Sequence, residues 1–257
     1  MTNLNSNSIS LERRGAGPPL VLLHCLGVDH HFWDFAGELA RDYTLISYDL
    51  PGHGRSPVPS GAYTIEDLSA QLSELLARHN IASAHIAGIS LGGLIAQHFA
   101  ATNPVSVDHL ILIDTTPRYT DELRAMWAQR AAAARDAGVN TLVDGLLKIW
   151  FTPQSVTDNT DAVRYVRAAL EKSPGEGYAL ACEALAAADL RATAARIVAP
   201  TLIICGDDDI PSFLDAARWL EGNIKGAHLA WLAKARHASV IERPSEALAI
   251  MRKFLHG

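Results

Sequence analysis

The segment His85-Ile86-Ala87-Gly88-Ile89-Ser90-Leu91-Gly92-Gly93 puts a serine between glycines where an apolar run gives way to a helical pattern. His85–Ala87 reads as a strand. Leu94–Thr102 reads as a helix, which Pro104 prevents from continuing because it has no N–H to donate. At such a junction the chain turns sharply. The glycines give neighbouring backbone room, and the serine hydroxyl is presented above the sheet. The helix N-terminus adds positive potential where an oxyanion would form. Gly-x-Ser-x-Gly arises by chance in about one chain in ten of this length. Its position between strand and helix is what makes Ser90 a candidate nucleophile.

Further strands and helices flank this segment. Leu20–His24 reads as a strand after the turn-forming Gly15-Ala16-Gly17-Pro18-Pro19, and Thr44–Asp49 as another, ending in Pro51-Gly52-His53-Gly54. Thr64 is an N-cap, with Asp67 at N3, for a helix running to about His79. His109–Asp114 is the fourth strand. Strands separated by helices imply a mostly parallel, twisted sheet flanked by helices. From Pro117 to Arg196 no strand-like run occurs. Ala-rich helical stretches lie at Asp121–Ala137, Asn140–Trp150, Asp161–Glu171 and Glu176–Ala188, broken at Thr152-Pro153 and Ser173-Pro174-Gly175. The alternation resumes with strand Thr201–Cys205, helix Ser212–Leu220, strand His228–Leu232 and helix Ser245–Leu255. The expected organisation is an α/β core of residues 1–116 and 196–257, with residues 117–195 as an inserted all-helical cap.

Composition sets outer limits. A chain of 257 residues accommodates one large domain with an insertion. With 49% hydrophobic and 19% charged residues, disorder is excluded as the overall state. A net charge of −6 offers no basic surface to nucleic acid or to an anionic membrane. Cys25, Cys182 and Cys205 are odd in number and widely spaced, so they read as free thiols in a reducing compartment. Met1–Ser10 lacks the cationic start and apolar stretch of an export signal, and the apolar runs are too short to span a bilayer. A cytoplasmic location is expected. Oligomeric state is not legible.

A serine hydroxyl needs a base with a pKa near working pH, usually histidine. Among 11 histidines, His237 occupies the loop Ala235–Ser239 between the last strand and last helix and follows Ser90 in chain order. His79 and His256 lie near helix ends and read as surface residues. His30 and His31 stand either at a pocket entrance or in solvent. An acid should orient the imidazole. Gly206-Asp207-Asp208-Asp209 follows a strand and so lies at the carboxyl edge of the sheet, where ligands bind, while Asp114 ends the preceding strand and competes for the role. Backbone N–H groups of Leu91 and of Leu26, in the loop His24-Cys25-Leu26-Gly27, are the candidate oxyanion donors. Cys25 has no such turn of its own and reads as a small buried side chain at the substrate pocket. No metal-ligand array, Gly-x-Gly-x-x-Gly or Walker loop occurs, so neither metal nor cofactor is implied.

With these residues placed, the chain resembles the α/β-hydrolase superfamily along nearly its full length. The likeness is carried by His24-Cys25-Leu26-Gly27 with Trp33, Asp49-Leu50-Pro51-Gly52-His53-Gly54-Arg55-Ser56, the turn around Ser90, Gly206-x-x-Asp209 and His237. The resemblance favours Asp209 as the acid, since members commonly carry it in Gly-x-x-Asp; members with the acid one strand earlier keep Asp114 open. A narrower likeness is to 3-oxoadipate enol-lactonases. It rests on Ile149-Trp150-Phe151-Thr152-Pro153, Ser173-Pro174-Gly175-Glu176-Gly177-Tyr178, Ala181–Leu185 with Asp189-Leu190-Arg191, and Tyr63–Leu68. It implies hydrolysis of a small ester or lactone through an acyl-enzyme, without cofactor, and specifically the opening of a five-membered enol-lactone in aromatic catabolism. It also implies that Trp150 packs over the substrate. An anionic substrate would want a cation, for which Arg118, Arg124, Arg130 and Lys148 are candidates. The chain departs from the narrower family at Asp209-Ile210-Pro211-Ser212-Phe213, at Ser239-Val240-Ile241-Glu242-Arg243-Pro244 and at Leu91, all of which line or support the pocket. Other carboxylesterases and lactonases, cofactor-free haloperoxidases or perhydrolases, C–C hydrolases, and a non-catalytic small-molecule receptor on the same scaffold are the alternatives.

Overall fold

The computed structural model describes Leu4 and residues 9–257. Most of Met1–Ser10, including the segment read above for an export signal, lies outside the described residues. One sheet contains β1 Leu11–Arg14, β2 Pro19–Leu23, β3 Thr44–Tyr48, β4 Ala84–Ile89, β5 Val107–Ile113, β6 Thr201–Gly206 and β7 His228–Leu232. Its order is β1-β3-β2-β4-β5-β6-β7. β1 runs antiparallel to β3, and every other pairing is parallel. Residues of β4 and β6 are buried throughout, as expected for strands covered on both faces. The sequence reading places no strand at β1. Leu11-Glu12-Arg13-Arg14 has three charges and no apolar run, and it is held at the sheet edge by its backbone ladder with β3.

Helices α1 Ile65–Arg78 and α2 Leu91–Thr102 belong to the first half. The Thr64 side chain accepts from the Asp67 N–H and the Asp67 side chain accepts from the Thr64 N–H, so α1 starts with a reciprocal cap. Between β5 and β6 lie α3 Asp121–Ala137, α4 Val143–Trp150, α5 Pro153–Thr157, α6 Asp161–Lys172, α7 Gly175–Ala187 and α8 Arg191–Ala194. A bridge between Arg118 and Asp189 closes the two ends of this helical segment. α9 Pro211–Asn223, α10 Ser239–Glu242 and α11 Pro244–Leu255 complete the chain. The sequence reading misses α5, α8 and α10, which are too short for a helical period to register. It also misses the 3₁₀ stretch His30–Arg41, although its buried residues Phe32, Trp33, Ala36 and Leu39 fall at helical spacing. The stretch expected as one helix over Asn140–Trp150 begins instead as a 3₁₀ turn, Val139–Leu142. Among the described residues no helix is long and apolar enough to cross a membrane.

Two contacts set the position of the future site. The first is between α2 and the sheet. A Cβ on Gly88 would come within 2.2 Å of the Gly92 carbonyl oxygen, and a Cβ on Gly92 within 2.2 Å of the Leu23 carbonyl oxygen. The start of α2 therefore lies against β2 and β4 at backbone contact distance. The second joins the inserted helices to the loop before α10. Glu242 Oε1 accepts from the N–H and hydroxyl of Thr152 and from the Ser155 hydroxyl, while Oε2 accepts from the Arg236 N–H. The Ala238 N–H donates to the Trp150 carbonyl.

Gly92→Ala tests the first contact. Alanine is the better helix former by about 1 kcal/mol, yet here urea denaturation should show a loss of about 1–3 kcal/mol, because the new methyl group meets a carbonyl that cannot move away. A gain in stability would mean that α2 slides freely along the sheet.

Candidate active site

Ser90 lies between β4 and α2 with φ 51° and ψ −111°, a conformation that side-chain-bearing residues rarely adopt. Three hydrogen bonds hold it. The Ser90 N–H donates to the Ile113 carbonyl at 2.9 Å, and the Ser90 carbonyl accepts from the Leu94 N–H and, at 2.8 Å, from the Thr115 hydroxyl. Strain at Ser90 is thus offset by the adjoining strand and helix.

The other two side chains arrive from loops at the same edge. His237 follows β7, and its Nε2 is 3.1 Å from Ser90 Oγ. Asp209 follows β6, and its Oδ2 is 3.0 Å from His237 Nδ1. Asp209 Oδ1 accepts from the Ile210 N–H at 2.7 Å, which leaves the carboxylate one orientation. All three residues are buried. An ionised Asp209 keeps the imidazole proton on Nδ1, so Nε2 is free to accept from the serine. Burial opposes a charged imidazole here. The charge and hydrogen bond of Asp209, with the charge of Asp114, outweigh it and raise the His237 pKa. The Phe213 ring lies 4.3 Å from the imidazole and the Trp150 ring 6.1 Å, so both flank it.

The four candidate acids separate by contact. Asp207 accepts from the Lys234 N–H, and Asp208 pairs with Arg236 at 3.1 Å; both are exposed. Asp114 is buried but is taken up elsewhere. Its Oδ1 accepts from the Gly206 N–H at 3.0 Å, and its Oδ2 from the N–H and hydroxyl of Ser239. Burial and the charge of Asp209 push the Asp114 pKa up to about 7. Asp209 alone of the four hydrogen-bonds His237. The ligand atoms of Asp114, Cys205 and Asp209 lie within 4.8 Å of one another, a spacing compatible with a metal ion. Their carboxylate oxygens, however, already accept from Gly206, Ser239, Ile210 and His237, and burial pushes the Cys205 thiol up.

Leu91 heads α2 and Leu26 follows β2. Among the described residues neither backbone N–H meets an acceptor. His24 shapes the loop that holds Leu26. Its Nδ1–H donates to the Cys25 carbonyl at 2.7 Å, and its Nε2 accepts from the Leu50 N–H at 2.9 Å. Burial lowers its pKa, consistent with this neutral role. Cys25 is buried, and burial pushes its thiol up, away from the thiolate a nucleophile needs. His30 is buried between Asp49 at 2.7 Å and Glu12 at 3.1 Å, whereas His31 is exposed beside Asp34; both line a cleft with Asp29 and Arg55. His79 and His256 are exposed. Of the cations singled out, Arg118 pairs with Asp121 and Asp189, Arg124 is bonded to the Ala186 carbonyl, and Lys148 is exposed. Sequence reasoning missed Tyr119, and it named Phe213 and Glu242 only as parts of segments near the pocket, without giving either a contact. Packing alone decides what each of them touches.

The sheet, the turn at Ser90 and the three loops define an α/β hydrolase. The profile of the alpha/beta hydrolase fold family matches residues 18–244, and the chain belongs to that family. It is an enzyme of the hydrolase class. It is 33% identical over 242 residues to 3-oxoadipate enol-lactonase 2 of Acinetobacter baylyi, covering 92% of this chain and 90% of that one. It is 31% identical over 256 residues to the pimeloyl-[acyl-carrier protein] methyl ester esterase of Chromobacterium violaceum, covering 96% and 98%. The crystal structure of the enol-lactonase from Burkholderia xenovorans LB400 superposes with a TM-score of 0.92 at 32% identity, covering 97% of this chain and 96% of that one.

The pH dependence of turnover should follow the His237 environment. As a base His237 must be neutral, so kcat/KM should fall on acidification through an apparent pKa above the ordinary 6.5. Asp209→Asn should move that limb to lower pH and reduce kcat by about 10⁴. Asp114→Asn, which removes no partner of the imidazole, should have much the smaller effect on kcat. A loss as large as that of Asp209→Asn would transfer the acid role to Asp114.

Proposed function

We propose that this chain hydrolyses a small lactone or carboxylic ester through an acyl-enzyme on Ser90, with Asp209 and His237 as its partners. The observation that carries the reading is the continuous contact Asp209 Oδ2–His237 Nδ1–His237 Nε2–Ser90 Oγ at 3.0 and 3.1 Å. In the proposed sequence His237 Nε2 takes the Ser90 proton as Oγ attacks the substrate carbonyl. The tetrahedral oxyanion is held by the Leu26 and Leu91 N–H groups. His237 then protonates the leaving oxygen. In an enol-lactone that oxygen remains tethered to the acyl group. Water, deprotonated by the same imidazole, releases the product. No cofactor takes part in these steps.

The particular substrate we favour is a 3-oxoadipate enol-lactone-like compound of aromatic catabolism. The reading is supported by the likeness to two enol-lactonases over nearly the whole chain. Residues 117–195 would act as a cap, a role consistent with the buried state of Ser90 and with Trp150 near the base. A cytoplasmic setting is in keeping with three free, buried cysteines. A second reading, hydrolysis of a simple carboxylic ester, is favoured by the similarity to a methyl ester esterase.

Hydrolysis of 3-oxoadipate enol-lactone beside a small aryl acetate separates the two, with Ser90→Ala as control. The favoured reading expects a kcat/KM for the lactone of about 10⁴–10⁸ M⁻¹s⁻¹, abolished in the variant. Ser90-dependent turnover of the aryl ester alone would leave the acyl-enzyme and discard the lactone. The Ser90→Ala and His237→Ala losses should combine far less than additively, because the two act as one unit; full additivity would reject their pairing.

A further inference from the structure

Both chain neighbours of His237 are tied to the inserted helices. The Ala238 N–H donates to the Trp150 carbonyl at 2.9 Å, and the Arg236 guanidinium donates to the Lys148 carbonyl at 2.8 Å. Both carbonyls belong to the last turn of α4, where a helix has no further N–H of its own to offer them. The C-terminus of α4 is thus capped by the loop that carries His237. Arg236 also pairs with Asp208 at 3.1 Å, in the loop that carries Asp209.

Glu242 closes the same junction at the start of α5. Its Oε1 accepts from the Thr152 N–H at 3.0 Å, the Thr152 hydroxyl at 2.8 Å and the Ser155 hydroxyl at 2.5 Å, and its Oε2 accepts from the Arg236 N–H at 2.8 Å. Thr152 is the N-cap of α5 and accepts from the Ser155 N–H. Thr152 and Ser155 are buried and Glu242 is half-buried, so these bonds are not freely exchanged for water. Four donors converge on one side chain. Only an ionised carboxylate, which accepts at both oxygens and donates at neither, satisfies them all. A glutamine in its place would turn an NH2 group on the donors at one end.

The loop around the imidazole is therefore pinned from two directions. Asp114 anchors it to the core at Ser239. The junction of α4 and α5 anchors it at Arg236 and Ala238. Between these anchors His237 must keep Nδ1 at 3.0 Å from Asp209 and Nε2 at 3.1 Å from Ser90.

We propose that Glu242 is a positioning residue for His237: by holding the α4–α5 junction against the loop Ala235–Ser239, it makes the inserted helices one half of the socket that orients the imidazole. The proposal rests on the acyl-enzyme reading of Ser90. Glu242 acts through His237 and touches none of the reacting atoms. The insertion then takes part in turnover itself, besides any part in choosing the substrate.

The test reads the steady-state hydrolysis of 4-nitrophenyl acetate and, in the free protein, the proton–nitrogen NMR correlation of the His237 imidazole, assigned by its loss in His237→Gln. Glu242→Gln should lower kcat by about ten- to a hundredfold with KM nearly unchanged, and should shift or broaden the imidazole signal. Thr152→Val combined with Ser155→Ala keeps the carboxylate but removes two of its donors. It should give the same pattern to a smaller degree, because the Thr152 N–H remains. Arg135→Gln breaks the ion pairs of α3 with Glu176 and Glu183 on α7, and so loosens the insertion away from this junction. It should keep the wild-type kcat and signal. An unmoved signal in Glu242→Gln, a wild-type kcat, or a loss confined to KM overturns the proposal. A loss that the Thr152→Val, Ser155→Ala protein does not share, or that Arg135→Gln shares in full, overturns it as well. Should Glu242→Gln fail to fold, the Thr152→Val, Ser155→Ala protein decides by the same two readouts. If the wild type shows no Ser90-dependent turnover, the acyl-enzyme reading fails, and the imidazole signal, read without substrate, decides the positioning role by itself.

Discussion

Asp114 leaves the end of β5 and accepts hydrogen bonds from Gly206 and Ser239, so one buried carboxylate ties together the two loops that carry Asp209 and His237. These loops come from different strands and are separated by α9 in the chain. Without a shared anchor nothing local would set the distance between Asp209 and His237. The arrangement has an electrostatic cost, since Asp114 and Asp209 are close enough for each charge to disfavour the other, and the Asp114 pKa rises accordingly. Three donors from the surrounding backbone and Ser239 offset that cost. The charge of Asp114 also adds to that of Asp209 in holding a proton on His237. A residue that never touches the imidazole thus takes part in setting both its position and its basicity.

The remaining parts of the site are held in the same manner, by backbone groups whose partners lie on neighbouring elements. Ser90 keeps an unfavourable φ because Ile113 and Thr115 on the adjoining strand and loop bond its N–H and carbonyl. Leu26 is held by a neutral histidine, His24, that bridges the loop after β2 to the loop after β3. Glu242 fastens the start of α5 to the loop that presents His237, so the inserted helices and the base share one rigid connection. Each device uses a polar side chain with its partners in place, buried for Thr115 and His24 and half-buried for Glu242. Such groups cost little when satisfied and much when broken, which favours a single arrangement.

Much of the fold was legible because the central strands are long apolar runs and the helices between them keep a clear period. The antiparallel edge strand β1 was not, because Glu12, Arg13 and Arg14 carry no hydrophobic signal and only the ladder with β3 makes them a strand. The 3₁₀ stretch His30–Arg41 was legible in principle, since Phe32, Trp33, Ala36 and Leu39 recur at helical spacing, but it was not read. Within the site, Ser90 and His237 were legible from motif and chain order. The acid was left between Asp209 and Asp114, which both end strands at the same sheet edge. Tyr119 had no signal, and Phe213 and Glu242 were named only within segments near the pocket, because an aromatic or a glutamate looks the same wherever it points.

By itself the sequence determined the alternation of strands and helices, the all-helical stretch between β5 and β6, and the presence of a serine on a tight turn. All three follow from local physics: burial periodicity, the lack of a proline N–H, and glycine at a backbone that admits no Cβ. Tertiary structure alone decided which aspartate faces the imidazole and which aromatic rings border it. Those are matters of direction and distance between segments up to 147 residues apart in the chain. No local preference encodes them; they emerge only when Asp114, Glu242 and the packed glycines bring the loops to one edge of the sheet.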